Sequence, residues 1–230
     1  MFCSTRQGGV SQIPYGSLNL GDHVGDQAEH VALNRRTLAK ACGAKPVFLK
    51  QVHGTQVLEI TPQTPDGAVA DACWTRTPQL ACTIMVADCL PVLLYSPSEH
   101  RVAAAHAGWR GLVGGVLENT LRVFNSTEDL KVWLGPCIGP SAFEVGPEVR
   151  AAFVGADPQA ENHFKPLTTP SKYLADLPAL ARQRLTQMGV KEVQGHDGSP
   201  SWCTFSQAKL FYSHRRDGVS GRFAAGISLI

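Results

Sequence analysis

The chain has 230 residues, 43% hydrophobic and 17% charged, which is enough apolar material for a real core in one large domain or two small ones. Its formal net charge of +2 is spread along the chain, and the densest basic cluster, His214-Arg215-Arg216, is followed at once by Asp217, which argues against nucleic-acid binding by bulk charge. No apolar run approaches the ~18 residues needed to cross a bilayer, and residues 1–6 carry no charged-then-apolar leader, so a cytoplasmic protein with no membrane partner is expected.

Residues 5–11 and 16–26 are glycine-bearing and polar and read as a long ordered loop. Asp26 is the expected N-cap of a helix, with Glu29 three residues on. Val31, Leu33, Leu38 and Ala41 supply its apolar contacts, Gly43 its stop, and Arg35 and Arg36 lie on or beside its polar face. A short strand at 47–49 leads to the bend Lys50-Gln51-Val52-His53-Gly54-Thr55, and extended structure resumes at 57–60. Residues 66–72 run from a turn into a small-residue strand or loop.

Residues 80–86 form a β-branched buried strand with Cys82 in its core. Ala87-Asp88-Cys89 interrupts it, and an apolar run restarts at 90–95, where Pro91 forbids a ladder N–H. An acid and a thiol at such a break face whatever cleft forms at the strand ends. Residues 101–106 are a short buried strand ending on His106. After Gly108-Trp109-Arg110-Gly111, Val113, Val116, Leu117, Thr120, Leu121 and Phe124 fall on one helical face, with Glu118, Asn119 and Arg122 on the other. Free N–H groups at the start of this helix, together with Arg110, make a candidate phosphate or carboxylate site. The alternative is a tight glycine turn with Arg110 in a structural ion pair.

A strand at 131–135, a rigid turn at 136–140 and a helix at 147–153 with proline in its first turn follow. Residues 155–170 read as a surface excursion, and 174–188 as a second long helix with Pro178 in its first turn and Gly189 at its end. A strand at 191–193 and a closing strand complete the chain. With no internal repeat and no linker, one α/β (α+β) domain of mixed sheets spanning 1–230 is expected.

The seven cysteines are odd in number and lack C-x-x-C spacing, so most are expected to be reduced, buried small hydrophobes. Cys89 stands apart because His53 and His106 also lie at bends or strand ends. Two imidazoles and a thiolate suit zinc, and three protein ligands leave a fourth position for water or substrate. The same trio allows Cys89 as a nucleophile with either histidine as base and Asp88 as orienter or acid, or a His₂Cys copper site. The chain has no His-x-His pair to supply a trinuclear copper cluster, and it lacks the H-x-E with P-C-x-x-C signature of zinc deaminases.

Lys50-Gln51-Val52-His53-Gly54, Ala87-Asp88-Cys89-Leu90-Pro91, His106-Ala107-Gly108-Trp109-Arg110-Gly111 and Gly135-Pro136-Cys137-Ile138-Gly139-Pro140 with Phe143-Glu144-Val145-Gly146 resemble the signature segments of the YfiH-type family, also labelled the polyphenol oxidoreductase or laccase-domain family. Thr5-Arg6-Gln7-Gly8-Gly9, Asn19-Leu20-Gly21, His23-Val24-Gly25-Asp26, Asn34-Arg35 and Arg215-Arg216-Asp217-Gly218 extend the resemblance over nearly the whole chain.

The resemblance implies mixed sheets flanked by helices, similar to a CNF-toxin-type cysteine hydrolase. It also implies a zinc enzyme that phosphorolyses adenosine, inosine and S-methyl-5′-thioadenosine and deaminates adenosine, with His53, Cys89 and His106 matching the family's zinc ligands. For deamination, zinc lowers the pKa of a bound water from ~15.7 towards ~7, and Asp88 or Glu144 is the expected proton shuttle. For phosphorolysis, the expected phosphate site is Arg110 and the helix start at Gly108, with Arg35 second. An amidase in peptidoglycan-precursor editing using Cys89, a copper-dependent polyphenol oxidase formed by metal exchange in vitro, and a zinc-stabilised binding module are the alternatives. The chain begins almost at Thr5-Arg6-Gln7, so an N-terminal strand found in many relatives is expected to be missing from one sheet edge.

Overall fold

Strands whose successive side chains face opposite ways sort this chain into layers. The computed structural model describes residues 1–230. In chain order it runs β1 (Phe2–Cys3), α1 (Ala28–Cys42), β2 (Lys45–Phe48), β3 (Val57–Glu59), β4 (Ala72–Thr75), β5 (Leu80–Val86), β6 (Leu90–Ser96) and β7 (Arg101–Ala107). Then come α2 (Trp109–Gly114), α3 (Val116–Leu121), β8 (Lys131–Leu134), β9 (Glu144–Val145), α4 (Pro147–Ala156), β10 (Phe164–Pro166) and β11 (Tyr173–Ala175). The chain closes with α5 (Leu177–Gln187), β12 (Glu192–Gly195), α6 (His214–Asp217) and β13 (Phe223–Ser228).

A six-stranded mixed sheet, β12-β8-β6-β7-β4-β3, stacks on a four-stranded one, β1-β13-β5-β2, and β10-β11-β9 form a small antiparallel sheet at one side. The two central strands serve both faces. Leu90, Val92, Leu94, Ala103, Ala105 and Ala107 join a core with Leu112, Leu117, Leu180 and Leu185 of the helices. Leu93, Val102 and Ala104 meet Val47, Cys82, Ile84 and Ala225 of the second sheet. The alanines of β7 let both layers approach closely. By the same alternation, His106 lies on the inter-sheet side of β7, at its end. This is the mixed α/β fold expected, and Cys82 is fully buried in it.

Several boundaries differ from expectation, each for a local reason. The helix expected at 113–124 is two six-residue helices, because Gly115 turns left-handed with φ +99° between them. Leu112, Val116, Leu117 and Leu121 still face inward, so the periodicity survives the break. The N-cap position of helix α1 is Gln27, not Asp26, and no side chain caps this end. The Asp26 carboxylate instead accepts from Ser11 Oγ at 2.6 Å and Asn19 Nδ2 at 2.9 Å, tying together the loop that precedes the helix. Helix α5 starts at Leu177 rather than 174, where Asp176 Oδ1 caps Ala179 N at 2.9 Å and Pro178 occupies the first turn.

Residues 155–170 are more ordered than a surface excursion, with a 3₁₀ turn at Pro158–His163 followed by β10. The two-residue β1 pairs antiparallel with β13 at the edge of the four-stranded sheet. No helix is long and apolar enough to cross a membrane.

A Cβ added at Gly115 would meet only Glu118 Oε2, at 3.6 Å, so Gly115→Ala carries a conformational cost and little steric one. It is expected to lower the free energy of unfolding in urea by about 1–2 kcal/mol. Unchanged stability would mean that the break between α2 and α3 does not depend on left-handed backbone.

Candidate metal centre

The site is assembled around a buried acid. The β4–β7 register pairs Ala72 with Ala105, and one step further Asp71 stands opposite His106. His106 N donates to Asp71 O at 2.7 Å, and His106 Nδ1 donates to Asp71 Oδ1 at 2.9 Å. The same carboxylate accepts from Val52 N at 3.1 Å, His53 N at 2.9 Å and Gly54 N at 2.7 Å. The loop carrying His53 is therefore wrapped on Asp71, with His53 at φ +61°. Gln51 pins the loop's other side to the end of β5, its amide exchanging two hydrogen bonds of 2.8 Å with the Met85 backbone. Cys89 enters from the break between β5 and β6, where Asp88 also has a left-handed φ of +93°.

These anchors bring His53, Cys89 and His106 together, with one ligand atom from each within 4.8 Å of the others. Cys89 Sγ is 3.8 Å from His53 Nε2, and the two imidazoles meet edge to face with centroids 4.8 Å apart. Because Asp71 takes His106 Nδ1, Nε2 is left as the metal-facing donor, the usual carboxylate–histidine–metal arrangement. Gly108 supplies the room: a Cβ there would lie 2.9 Å from Cys89 Sγ and 3.1 Å from His53 Cδ2. Two nitrogens, one sulfur and an oriented imidazole fit a metal ion with an open coordination position.

The electrostatics agree with this fit. Burial alone would raise the Cys89 thiol, but the charge and hydrogen bond of His106, helped by His53, bring it down to about 6. Burial would lower His106, yet Cys89 and Asp71 hold its imidazolium up to about 9. Asp71 is likewise penalised by burial but falls below the ordinary carboxylate value through His106 and the loop N–H groups.

The trio opens on a cavity of about 460 Å³ whose apolar lining includes Trp109, Ile138 and Phe143 and whose polar lining includes Gln51, Arg215 and Arg222. Asp88 lines it too, acting as a clasp. Its Oδ1 accepts from Thr204 Oγ1 and its Oδ2 from Arg215 N, both at 2.7 Å, and its carbonyl accepts from Ile138 N at 2.9 Å. Burial lowers Arg222 from its ordinary value, opposed by the nearby Cys89 and Asp88.

Three residues expected at the site stand elsewhere. Glu144 is exposed, its carboxylate 3.7 Å from Lys172 Nζ, and only its carbonyl touches a cavity residue, Arg215 Nη1 at 2.7 Å. Arg110 is exposed and stacks 4.3 Å above the Trp109 ring, outside the cavity lining, because the neighbouring indole offers its guanidinium a partner. Arg35 lies 4.1 Å over Phe48 and pairs with Asp22 at 3.2 Å, also outside the lining. The six-residue α2 is too short to add an anion site of its own, and its Gly108 end abuts Cys89. Asp71, Gln51 and Arg222 are the site residues that motif spacing does not reveal.

A family model described as multi-copper polyphenol oxidoreductase laccase matches residues 1–230. The chain belongs to that family. It is 50% identical over 230 residues to a protein of Escherichia coli K12 named purine nucleoside phosphorylase YfiH, covering 99% of this chain and 92% of the relative. It is 51% identical over 223 residues to the purine nucleoside phosphorylase PA4543 of Pseudomonas aeruginosa, covering 96% and 90%. The crystal structure of Neisseria meningitidis protein NMB0706 superposes with a TM-score of 0.93 at 44% identity, over 99% of this chain and 92% of that one. The Bacillus licheniformis hypothetical protein YfiH gives 0.91 at 30% identity, over 99% and 91%. Against the family's multi-copper description, this chain has one three-ligand His/Cys cluster and no His-x-His pair.

In metal-depleted protein Cys89 is already ionised above about pH 6 while His106 keeps its proton up to about pH 9. Metal uptake at pH 7.5 should therefore release about one proton, from His106, and affinity should rise with pH across that window. Below it affinity should fall more steeply, because Cys89 must then lose a proton as well. Calorimetry in buffers of different ionisation enthalpy measures this, and zero release at pH 7.5 would contradict it. Separately, Asp71→Asn should weaken metal affinity about 10–100-fold in chelator competition, and an unchanged affinity would remove Asp71 from the centre.

Proposed function

We propose that this protein is a zinc-dependent purine nucleoside phosphorylase acting on adenosine, inosine and S-methyl-5′-thioadenosine, with deamination of adenosine as a second activity of the same centre. The observation that carries this reading is the opening of His53, Cys89 and His106 onto a cavity lined by both aromatic and cationic side chains. The names of the relatives at 50% and 51% identity support it.

Zinc suits the donor set better than copper. A blue-copper site would add a weak axial thioether, and Met85, the one methionine on the cavity wall, has its Sδ engaged by Arg35 Nη2 at 3.9 Å. When bound, the metal supplies Lewis acidity inside the cavity. His53, Cys89 and His106 would hold it, and Asp71 keeps His106 in the tautomer that presents Nε2.

Trp109, Ile138 and Phe143 offer the purine an apolar surface to pack on. In phosphorolysis an oxygen of hydrogen phosphate bonds to C1′ as the C1′–N9 bond breaks. The electron pair of that bond leaves with the base, and the proton of the phosphate ends on the purine. Asp88 holds residues 138, 204 and 215 in place around these events.

The Cys89–His106 pair favours a second reading, a cysteine hydrolase acting on an amide bond, since a thiol at about 6 beside an imidazole is an activated nucleophile. Covalent trapping of Cys89 by an electrophilic substrate during turnover would carry that reading instead.

The test incubates purified protein with inosine and phosphate and follows hypoxanthine and ribose 1-phosphate; with adenosine, adenine and inosine are expected. Chelation should abolish turnover and zinc restore it. His106→Ala should lose the metal and lower kcat at least about 100-fold. Full activity in metal-free protein would refute this function.

A further inference from the structure

The cavity lining holds two arginines, Arg215 and Arg222, and one carboxylate, Asp88. Both oxygens of Asp88 are engaged, by Thr204 Oγ1 and Arg215 N. Arg215 spends its Nη1 on Glu144 O and lies 5.6 Å over the Phe143 ring. Arg222 is different. It is half-buried, its Nη1 is anchored on Ser220 O at 2.9 Å, Gly221 O at 3.0 Å and Ser220 Oγ at 3.4 Å, and its Nε and Nη2 donate to nothing in the protein.

No carboxylate comes within 4.0 Å of the Arg222 guanidinium, whereas Arg101, Arg184 and Arg216 meet Glu99, Glu118 and Asp217. The stem is fixed as well. Arg222 N donates to Asn19 Oδ1 at 2.8 Å, and a Cβ at Gly21 would sit 2.8 Å from Arg222 Cγ, so glycine at 21 leaves the space this side chain occupies.

A guanidinium held by one nitrogen, with its other edge free at a cavity wall, presents two parallel N–H donors spaced for two oxygens of one oxyanion. We propose that the Nε–Nη2 edge of Arg222 forms an oxyanion subsite of the cavity and binds the attacking phosphate. That the anion is free phosphate rests on the phosphorolysis reading; the subsite itself also fits a phosphate or carboxylate carried by an organic substrate. Arg222 fills the role that spacing suggested for Arg110 and Arg35, which lie outside the cavity lining.

The test compares wild type, Arg222→Met and Arg222→Lys as zinc-loaded protein, after checking that metal content and thermal midpoint match. For inosine phosphorolysis, the KM for phosphate should rise at least tenfold in the Met variant and severalfold in the Lys variant, which keeps the charge but loses the fork. The KM for inosine should stay within about twofold of wild type. Should the Met variant not fold, the Lys variant carries the test.

An unchanged KM for phosphate in a folded variant overturns the subsite while leaving phosphorolysis standing. If wild type shows no phosphorolysis, calorimetric titration with inorganic phosphate decides. Saturable binding lost in the Met variant upholds the subsite and refutes only the reaction, and no binding overturns both.

Discussion

The structure of the site depends on the Asp71 carboxylate. Burying an ionised acid costs several kcal/mol unless its lone pairs are filled, and here four N–H groups fill them, three from one loop and one from an imidazole. The arrangement joins a loop after β2 to the end of β7, segments some fifty positions apart. His53 and His106 are placed by the same acid, so the spacing between them is set by protein hydrogen bonds before any metal arrives. Removing that acid would strand three backbone N–H groups together with a histidine.

The layers explain why the centre sits where it does. β7 is nearly all alanine between Val102 and Ala107, and its small side chains bring the helices and the second sheet close on either face. The strand ends of both sheets then meet at one mouth. Cys89 and His106 come from the six-stranded sheet, while Met85, Val86 and Arg222 come from the ends of β5 and β13 in the other or stand beside them. Gly108 keeps the entry to α2 from filling the space that the ligands need. The cavity is therefore a seam between two sheets, lined by aromatic and cationic side chains together.

Much of this was legible in the sequence because chemistry-bearing residues interrupt apolar runs. Asp88 and Cys89 break a β-branched stretch, His106 ends an alanine strand, and His53 sits beside glycine at a bend. What links them is less visible, since Asp71 reads as one acid in a small-residue segment. Its signal is physical: a lone carboxylate between Ala70 and Ala72, at the entry to a strand, must have partners if it is buried. The broken helix has a signal too, the Gly114-Gly115 pair, which leaves the apolar periodicity intact and so hides from it. Arg110 and Arg222 show the limit of spacing. Proximity to His106 along the chain suggests Arg110, but that guanidinium stacks on the neighbouring indole outside the lining, and the two cavity arginines, Arg215 and Arg222, come from 109 and 116 positions beyond His106.

X-ray absorption at the metal edge of zinc-loaded protein reads out whether His53, Cys89 and His106 bind a single metal ion. One metal per chain is expected, with two nitrogen scatterers at ~2.0–2.1 Å and one sulfur at ~2.3 Å. A first shell without sulfur, or a second metal at ~3.5–4 Å from the first, would contradict it.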